Sequence, residues 1–450
     1  MRFLPAYRRI ASLGLPILVS QLGAILVAFA DNIMVGRYTT EALASASFVN
    51  NVFNVAVFCI IGFTYGLTPL VGALFTRREF ASIGSMTRIA MWMNTLFTLL
   101  VMGIMTVVYL NVDRMGQPAE LLPTIRPYFR LYLCGLIPVS LYCVLSQWSY
   151  GIGRTALPMW ITLAANLINI CGNWLLIYGN CGCPELGLYG AGLSTLTARV
   201  ICPLVLFLIF LRAERFRPYR QGFLHGKSGR GCIARVWRTS FPVSLQLTFE
   251  SGSFTAAAIM VGWLGAIPLA AFQIIVIVGT LGFCIYYSIA SAITICVANA
   301  AGTGSSHQMR HVAWAGYHII LVLAFTSSVI FVCAGRQLMH LFTEDAAVLA
   351  LASTLIFPLV LYQLGDATQI AFSGALRGTS HVMPMLWIAF VSYVVCGLPA
   401  TYILSKPQVM GTYGAILSFS VALFVAGGLF LYYFLRVTRP RGSHDPSVAA

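Results

Sequence analysis

The sequence predicts an all-α integral membrane protein, with twelve transmembrane helices in two parallel-repeat six-helix lobes around a central cleft. Three observations carry that expectation. The 450-residue chain is 59% hydrophobic and only 9% charged, with a mean hydropathy of +0.85, whereas soluble domains carry roughly 25% charged residues. Twelve apolar runs approach or exceed the ~20 residues that a helix needs to cross a bilayer. The second half of the chain repeats the first, and the weak ten-residue alternation of a membrane barrel is absent.

The runs lie near residues 10–35, 46–75, 89–110, 127–149, 158–179, 187–211, 239–262, 268–300, 313–334, 347–375, 383–404 and 412–435. The second, eighth and tenth exceed one crossing, which implies tilt or protrusion rather than extra passes. Pro16 and Pro242 are expected to open the first and seventh helices near their inner ends and to permit bending there. The first run carries Asp31, is too long for a cleavable signal and lacks a small-residue cleavage site. Between the sixth and seventh runs lies a basic, glycine-containing stretch, 212–238, the one long polar linker. It separates an N-terminal lobe, 1–211, from a C-terminal lobe, 239–437. The tail, 438–450, reads as disordered and cytoplasmic.

The repeat is specific. A shift of 226 residues carries Pro16 onto Pro242, Ile33-Met34-Val35-Gly36 onto Ile259-Met260-Val261-Gly262, Leu43-Ala44 onto Leu269-Ala270, and Pro158-Met159 onto Pro384-Met385. A slightly smaller shift carries Tyr189-Gly190-Ala191 onto Tyr413-Gly414-Ala415. Six helices per half give both halves the same orientation, a transporter architecture with its sites near the midplane.

The net charge of +15 suggests nucleic acid until its positions are read. Most of the 27 basic residues fall at the termini, in the connections at Arg77, Arg78, Arg88, Arg154, Arg310 and Arg377, and in the linker. That is the bias of cytoplasmic loops toward Lys and Arg, which sets topology. Both termini are therefore expected inside, in a plasma (inner) membrane protein that has the bilayer but no nucleic acid as a partner.

Three of the 12 acidic residues lie inside apolar runs: Asp31, Glu250 and Asp366. A charge at membrane depth is costly and usually faces a cavity or partner. Under the 226-residue shift they fall opposite Ala257, Ala24 and Ser140, so the repeated scaffold does not itself require carboxylates. Gln246 and Glu250, like Tyr362 and Asp366, are four apart and share a helix face. Two carboxylates with oxygen neighbours can hold a monovalent cation or share a proton; sodium and proton stay open. In the first half, Asp31 is joined by Asn169 and Asn173, four apart, by Asn166, and by Thr195 and Arg199, also four apart. These read as a polar lobe interior, with Asp31 the candidate partner for Arg199. Asn50, Asn51 and Asn54 form a further patch suited to helix packing.

Catalytic chemistry has no signature. Gly226-Lys227-Ser228 resembles the end of a phosphate loop, but Gln221 stands where its first glycine belongs. No HExxH, G-x-S-x-G or Cys/His cluster occurs. Cys181-x-Cys183 lacks a second ligand pair. The chain is read as a non-enzyme without cofactors, other than a coupling ion, Na+ or H+.

Ala30-Asp31-Asn32-Ile33-Met34-Val35-Gly36, Phe241-Pro242 with Phe249-Glu250, Tyr362-Gln363-Leu364-Gly365-Asp366 leading to Gly374-Ala375-Leu376-Arg377-Gly378, and Asn169-Ile170-Cys171-Gly172-Asn173-Trp174 with Pro184-Glu185-Leu186-Gly187 together resemble the multidrug and toxic compound extrusion (MATE) family, in its NorM-like branch, over roughly 8–437. The resemblance implies export of amphipathic, often cationic drugs by sodium- or proton-coupled antiport with alternating access, from a chain for which a monomer suffices. It implies a cation site at Glu250, Asp366 and Tyr362, and a polar site at Asp31, Asn169, Asn173 and Thr195; Arg199 matches no functional position. Asn at 173 is the NorM-like choice where the related branch has Asp. Phe272-Gln273 replaces a common His-Gln, and Ile277 an expected Asn, which thins the cation shell. A lipid-linked oligosaccharide flippase of the same broader superfamily would need more cations lining the cleft. A non-transporting receptor or channel leaves the repeat and the asymmetric acids unexplained.

The topology is directly testable. Green fluorescent protein fused after Arg439 is expected to fluoresce, and alkaline phosphatase at the same point to be inactive; the reverse pattern places the C-terminus outside.

Overall fold

In a bilayer each backbone N–H and C=O must find its partner within the protein, which restricts lone spanning segments to helices. The computed structural model describes residues 3–115, 118–226, 230–340 and 342–439, and among these there is no strand. Twelve helical segments follow one another: α1, Leu4–Tyr38; α2, Thr40–Thr64, continued as Leu67–Thr76; α3, Phe80–Leu110; α4, Leu122–Gly151; α5, Ala156–Tyr178; α6, Gly187–Arg212; α7, Arg230–Gly262; α8, Ala266–Gly302; α9, Ser306–His340; α10, Ala346–Thr354 and Ile356–Gly378; α11, Met383–Leu404; and α12, Gly411–Val437.

Among the described residues, ten of these are long and apolar enough to cross a membrane. The two parts of α10, bent by 48°, make an eleventh when counted as one span. The remaining segment, α7, has 33 residues, enough length; its serines, threonines, Gln246 and Glu250 dilute its apolar character. The least greasy helix thus carries one of the membrane-depth acids.

Pro16 and Pro242 do not open their helices. Each lies about a dozen residues inside α1 or α7, where the ring removes a backbone donor and crowds the preceding turn. The helices therefore start earlier than the apolar runs, and α7 extends back through much of the segment expected to be a linker. Arg235 and Arg238 there flank Trp237, which stacks on Phe241 at 5.0 Å between ring centroids.

Two compact units emerge, one formed by Pro16–Thr248 and the other by residues 1–15 with Phe249–Ala450. Their bounds differ from 1–211 and 239–437, for a packing reason. The first turns of α1 belong with the helices of the later half: a Cβ on Gly14 would lie 3.0 Å from Ile289 Cδ1, and Tyr7 Oη lies 3.0 Å from His318 Nδ1. The first turns of α7 belong with the earlier half. Ser244 Oγ donates to the Cys59 carbonyl at 2.7 Å, and a Cβ on Gly62 would meet Ser244 Cα at 2.9 Å.

Within the unit Pro16–Thr248, a short helix, Arg217–His225, packs on α3. The approach is backbone to backbone. A Cβ on Gly84 would fall 2.0 Å from the Tyr219 carbonyl oxygen, and one on Gly222 would fall 2.0 Å from that of Ala81. Arg88 closes the contact by donating to Phe223 O and Gly226 O, each at 2.6 Å. A guanidinium satisfies the carbonyls that a helix end leaves open. Arg88, one of the residues expected to mark the cytoplasmic face, thus also docks this helix. Lys227 and Ser228 of the phosphate-loop-like triplet lie outside the described residues.

At the other end of the chain, Thr438 is fully buried. Its hydroxyl accepts from Arg310 Nε at 3.0 Å and donates to Phe434 O at 2.8 Å. Order therefore runs through the first position of the expected disordered tail, because α9 supplies a partner; residues 440–450 lie outside the described residues.

Replacing Gly84 with valine leaves the short helix no room to dock. The variant is expected to lose about 1–3 kcal/mol and to expose Arg217 and Arg220 to trypsin. Unchanged melting and unchanged cleavage would show that this contact is dispensable.

Candidate functional site

In the unit of residues 1–15 with Phe249–Ala450, four helices bring polar side chains together at membrane depth. α7 supplies Glu250, 8% exposed, and α10 supplies Asp366, 1% exposed. Tyr362, Asp366 and Gln369 recur at helical spacing, so one face of α10 carries all three. Asp366 and Glu250 lie close enough for each to act on the Tyr362 hydroxyl through charge.

Tyr393 and Gln369 face the Glu250 carboxylate, and the Arg377 guanidinium acts on it through its charge. Tyr393 sits in a stretch of α11, Phe390–Gly397, wound as a π-helix. Such windings redirect side chains and are common at functional sites. Ser253 Oγ of α7 donates to the Tyr393 carbonyl at 3.4 Å, tying the two helices together beside the acid. α8 approaches at Gly279 and Gly282. Gln363 Nε2 donates to the Gly279 carbonyl at 3.4 Å, and a Cβ on Gly282 would strike Gln363 Oε1 at 2.6 Å.

Three oxygens of this cluster, Asp366 Oδ2, Gln363 Oε1 and Gln369 Oε1, are buried without a hydrogen-bond donor. Buried polar atoms normally have partners, so oxygens without donors beside two carboxylates make a suitable setting for a cation or an exchangeable proton. Phe272 is fully buried and brings no oxygen. Among the described residues no group of three His, Cys, Asp or Glu side chains is placed to hold a metal, so a sodium ion here would rely on carboxylate, amide and phenol oxygens.

The unit Pro16–Thr248 holds a second cluster on α1, α4, α5 and α6. Close crossings build it: a Cβ on Gly172 would lie 2.4 Å from Ser194 Oγ, and one on Gly190 2.4 Å from Leu176 O. With α5 and α6 so near, Asn169 Nδ2 donates to Thr195 Oγ1 at 3.2 Å and to Ser194 Oγ at 3.4 Å. Ser194 Oγ returns a bond to the Asn169 carbonyl at 2.8 Å. One turn on, the fully buried Asn173 donates to Asp31 Oδ1 at 2.5 Å. Arg199 lies with its guanidinium carbon 4.4 Å from the centre of the Tyr132 ring, and its charge reaches Asp31 from there. Asn173 makes the near contact with the acid that the sequence suggested for Arg199, whose guanidinium sits over Tyr132 of α4.

The candidate site residues fall into two clusters, Glu250, Asp366 and Tyr362 in one, and Asp31, Asn169, Asn173, Thr195 and Arg199 in the other. Gln369, Tyr393 and Arg377 escaped that reading. Gln369 had a signal, since it follows Tyr362 and Asp366 on one face. Arg377 was read as a loop cation, yet it is 6% exposed, and nothing in the local sequence distinguishes Tyr393 from the neighbouring apolar positions. Cys181 and Cys183 are free thiols. Asn51 and Asn54 are exposed and Asn50 is partly so.

Comparison with known proteins bears on family and fold. The MatE family model matches residues 16–175 and 242–403, one segment in each half. A probable multidrug resistance protein NorM from Geobacillus kaustophilus is 28% identical over 441 residues, covering 98% of this chain and 96% of the relative. A probable NorM from Xanthomonas campestris pv. campestris is 28% identical over 399 residues, covering 88% and 87%. Among solved structures, a MOP superfamily transporter from Pyrococcus furiosus matches with a TM-score of 0.88 at 16% identity, over 96% of both chains. The eukaryotic MATE transporter AtDTX14 matches with a TM-score of 0.87 at 17% identity, over 98% of this chain and 99% of that one.

The Asn173–Asp31 bond can be weighed by deletion. Asn173→Ala removes the donor to a carboxylate and is expected to cost about 1.5–3 kcal/mol, read as a lower melting temperature in detergent. Thr195→Val, at the edge of the cluster, is expected to cost less. The opposite ranking would mean that the Asp31 contact is not what holds this cluster.

Proposed function

The chain belongs to the MatE family, and on that premise we propose that it exports small amphipathic molecules, chiefly cationic drugs, by antiport against sodium or protons. Among its relatives are NorM proteins described as probable multidrug resistance proteins, and family membership makes it a transporter rather than an enzyme. The observation that carries the reading is the burial of Glu250 and Asp366 together at membrane depth, beside oxygens that lack donors.

The cycle follows from charge. Facing inward, the protein takes up substrate against apolar walls while the acids are free of ion. Opening outward admits the external cation to Glu250 and Asp366, with Tyr362 alongside, and releases the drug. A neutralised carboxylate crosses a dry barrier at lower cost than a bare one, so cation occupancy biases which way the protein faces. One charge moving through 100 mV supplies roughly 2.3 kcal/mol, enough for about a fifty-fold drug gradient at roughly 1.4 kcal/mol per tenfold. Asp31, Asn169, Asn173 and Thr195 provide a second polar site that can take part in coupling. The distribution of basic residues supports an inner-membrane protein with both termini cytoplasmic, and two lobes in one chain let a monomer suffice.

The test is ethidium efflux from preloaded, pump-deficient cells given a sodium pulse or an acid pulse separately. One pulse is expected to drive efflux, which Glu250→Gln is expected to abolish and Asp31→Asn to reduce. Membrane-inserted protein that moves no dye under either pulse would overturn the reading and favour a lipid-linked substrate.

A further inference from the structure

Arg199 has no part in holding the coupling ion, yet its surroundings are shaped around it. An arginine at membrane depth is rare and costly and calls for an anion or water beside it. α4 makes room at Gly135, where a Cβ would lie 2.9 Å from a guanidinium nitrogen and 3.2 Å from Cδ. The space lets the group sit over Tyr132, 4.4 Å from the ring centre. A guanidinium held over a ring keeps N–H donors that the ring does not use.

Among the described residues nothing accepts a hydrogen bond from those donors, and the side chain is only partly buried. Asp31, the nearest acid of the cluster, is held instead by Asn173. The result is a permanently charged, planar fork of donors held over an aromatic ring. That geometry matches the two oxygens of a carboxylate or sulfonate bidentately. The Tyr132 ring beside it suits an aromatic body attached to the oxyanion.

We infer that Arg199 is a specificity-determining residue, the docking point for the oxyanion of an aromatic amphipathic substrate. The inference rests on the export reading and extends it from cations to carboxylates and sulfonates. Positive charge at this position also works against cations, so the residue sets a balance between the two classes.

The experiment measures binding of 5-carboxyfluorescein, an aromatic carboxylate, and of ethidium, an aromatic cation, to the purified full chain in lipid nanodiscs by fluorescence anisotropy. Arg199→Gln is expected to weaken carboxyfluorescein about tenfold or more, the scale of a hydrogen bond to a charged group, and to tighten ethidium. Arg199→Lys keeps the charge without the fork and is expected to fall between. Gly135→Ala, which displaces the guanidinium from Tyr132, is expected to weaken the anion with Arg199 intact. No measurable carboxyfluorescein binding by the unaltered chain, or a shift of both dyes in the same direction in Arg199→Gln, overturns the inference. Failure of the export reading is recognised separately, as absent ethidium efflux in cells from a chain that still binds the dyes.

Discussion

The cost of placing charge in a medium without water governs this molecule. Glu250 and Asp366 lie almost wholly inside helical packing, where an isolated ionised carboxylate is strongly disfavoured and must be paired, hydrogen-bonded or neutralised. Much of the unit containing them can be understood as an answer to that constraint. Tyr393 and Gln369 face Glu250, Arg377 offsets its charge, and the π-wound stretch of α11 brings Tyr393 to the acid. What the protein leaves undone is as informative: Asp366 Oδ2 and two glutamine oxygens have no donor. A site satisfied by protein alone has no use for a further cation, whereas oxygens without donors leave acceptor capacity open.

The other unit resolves the same problem differently. Asp31 is bonded by a neutral amide, Asn173, and shares its surroundings with one arginine. The first cluster has two carboxylates against Arg377. The two halves repeat in sequence but not in charge, which gives one scaffold two chemically distinct interiors. Glycines make both possible. Gly172, Gly190 and Gly282 stand where any side chain would push apart the helices that carry the polar groups, and small residues are the general means by which membrane helices approach closely.

Most of the architecture was legible in the order of residues. Apolar runs in the sequence coincide with all twelve long helices, although α7, Arg230–Gly262, falls short of the apolar character of the others. The offset of 226 residues exposed the repeat, and acids inside apolar runs pointed to both clusters. The misreadings were local and have physical causes. Pro16 and Pro242 looked like helix starts because prolines commonly are, but the upstream turns gain enough from packing to continue the helix. Thr438 looked like the start of a tail because its partner, Arg310, lies on another helix.

The sequence by itself therefore determined the helices, their repeat and which charges lie within apolar segments. Each of these depends on transfer from water to lipid, a property of residues and short windows. Tertiary structure alone decided which groups face those charges: that Tyr393 and Gln369 meet Glu250, that Asn173 rather than Arg199 makes the near contact with Asp31, and that the Arg199 guanidinium sits over the Tyr132 ring. These choices depend on interhelical approach over distances of a few ångströms and on side chains far apart in the chain, and no local window encodes them.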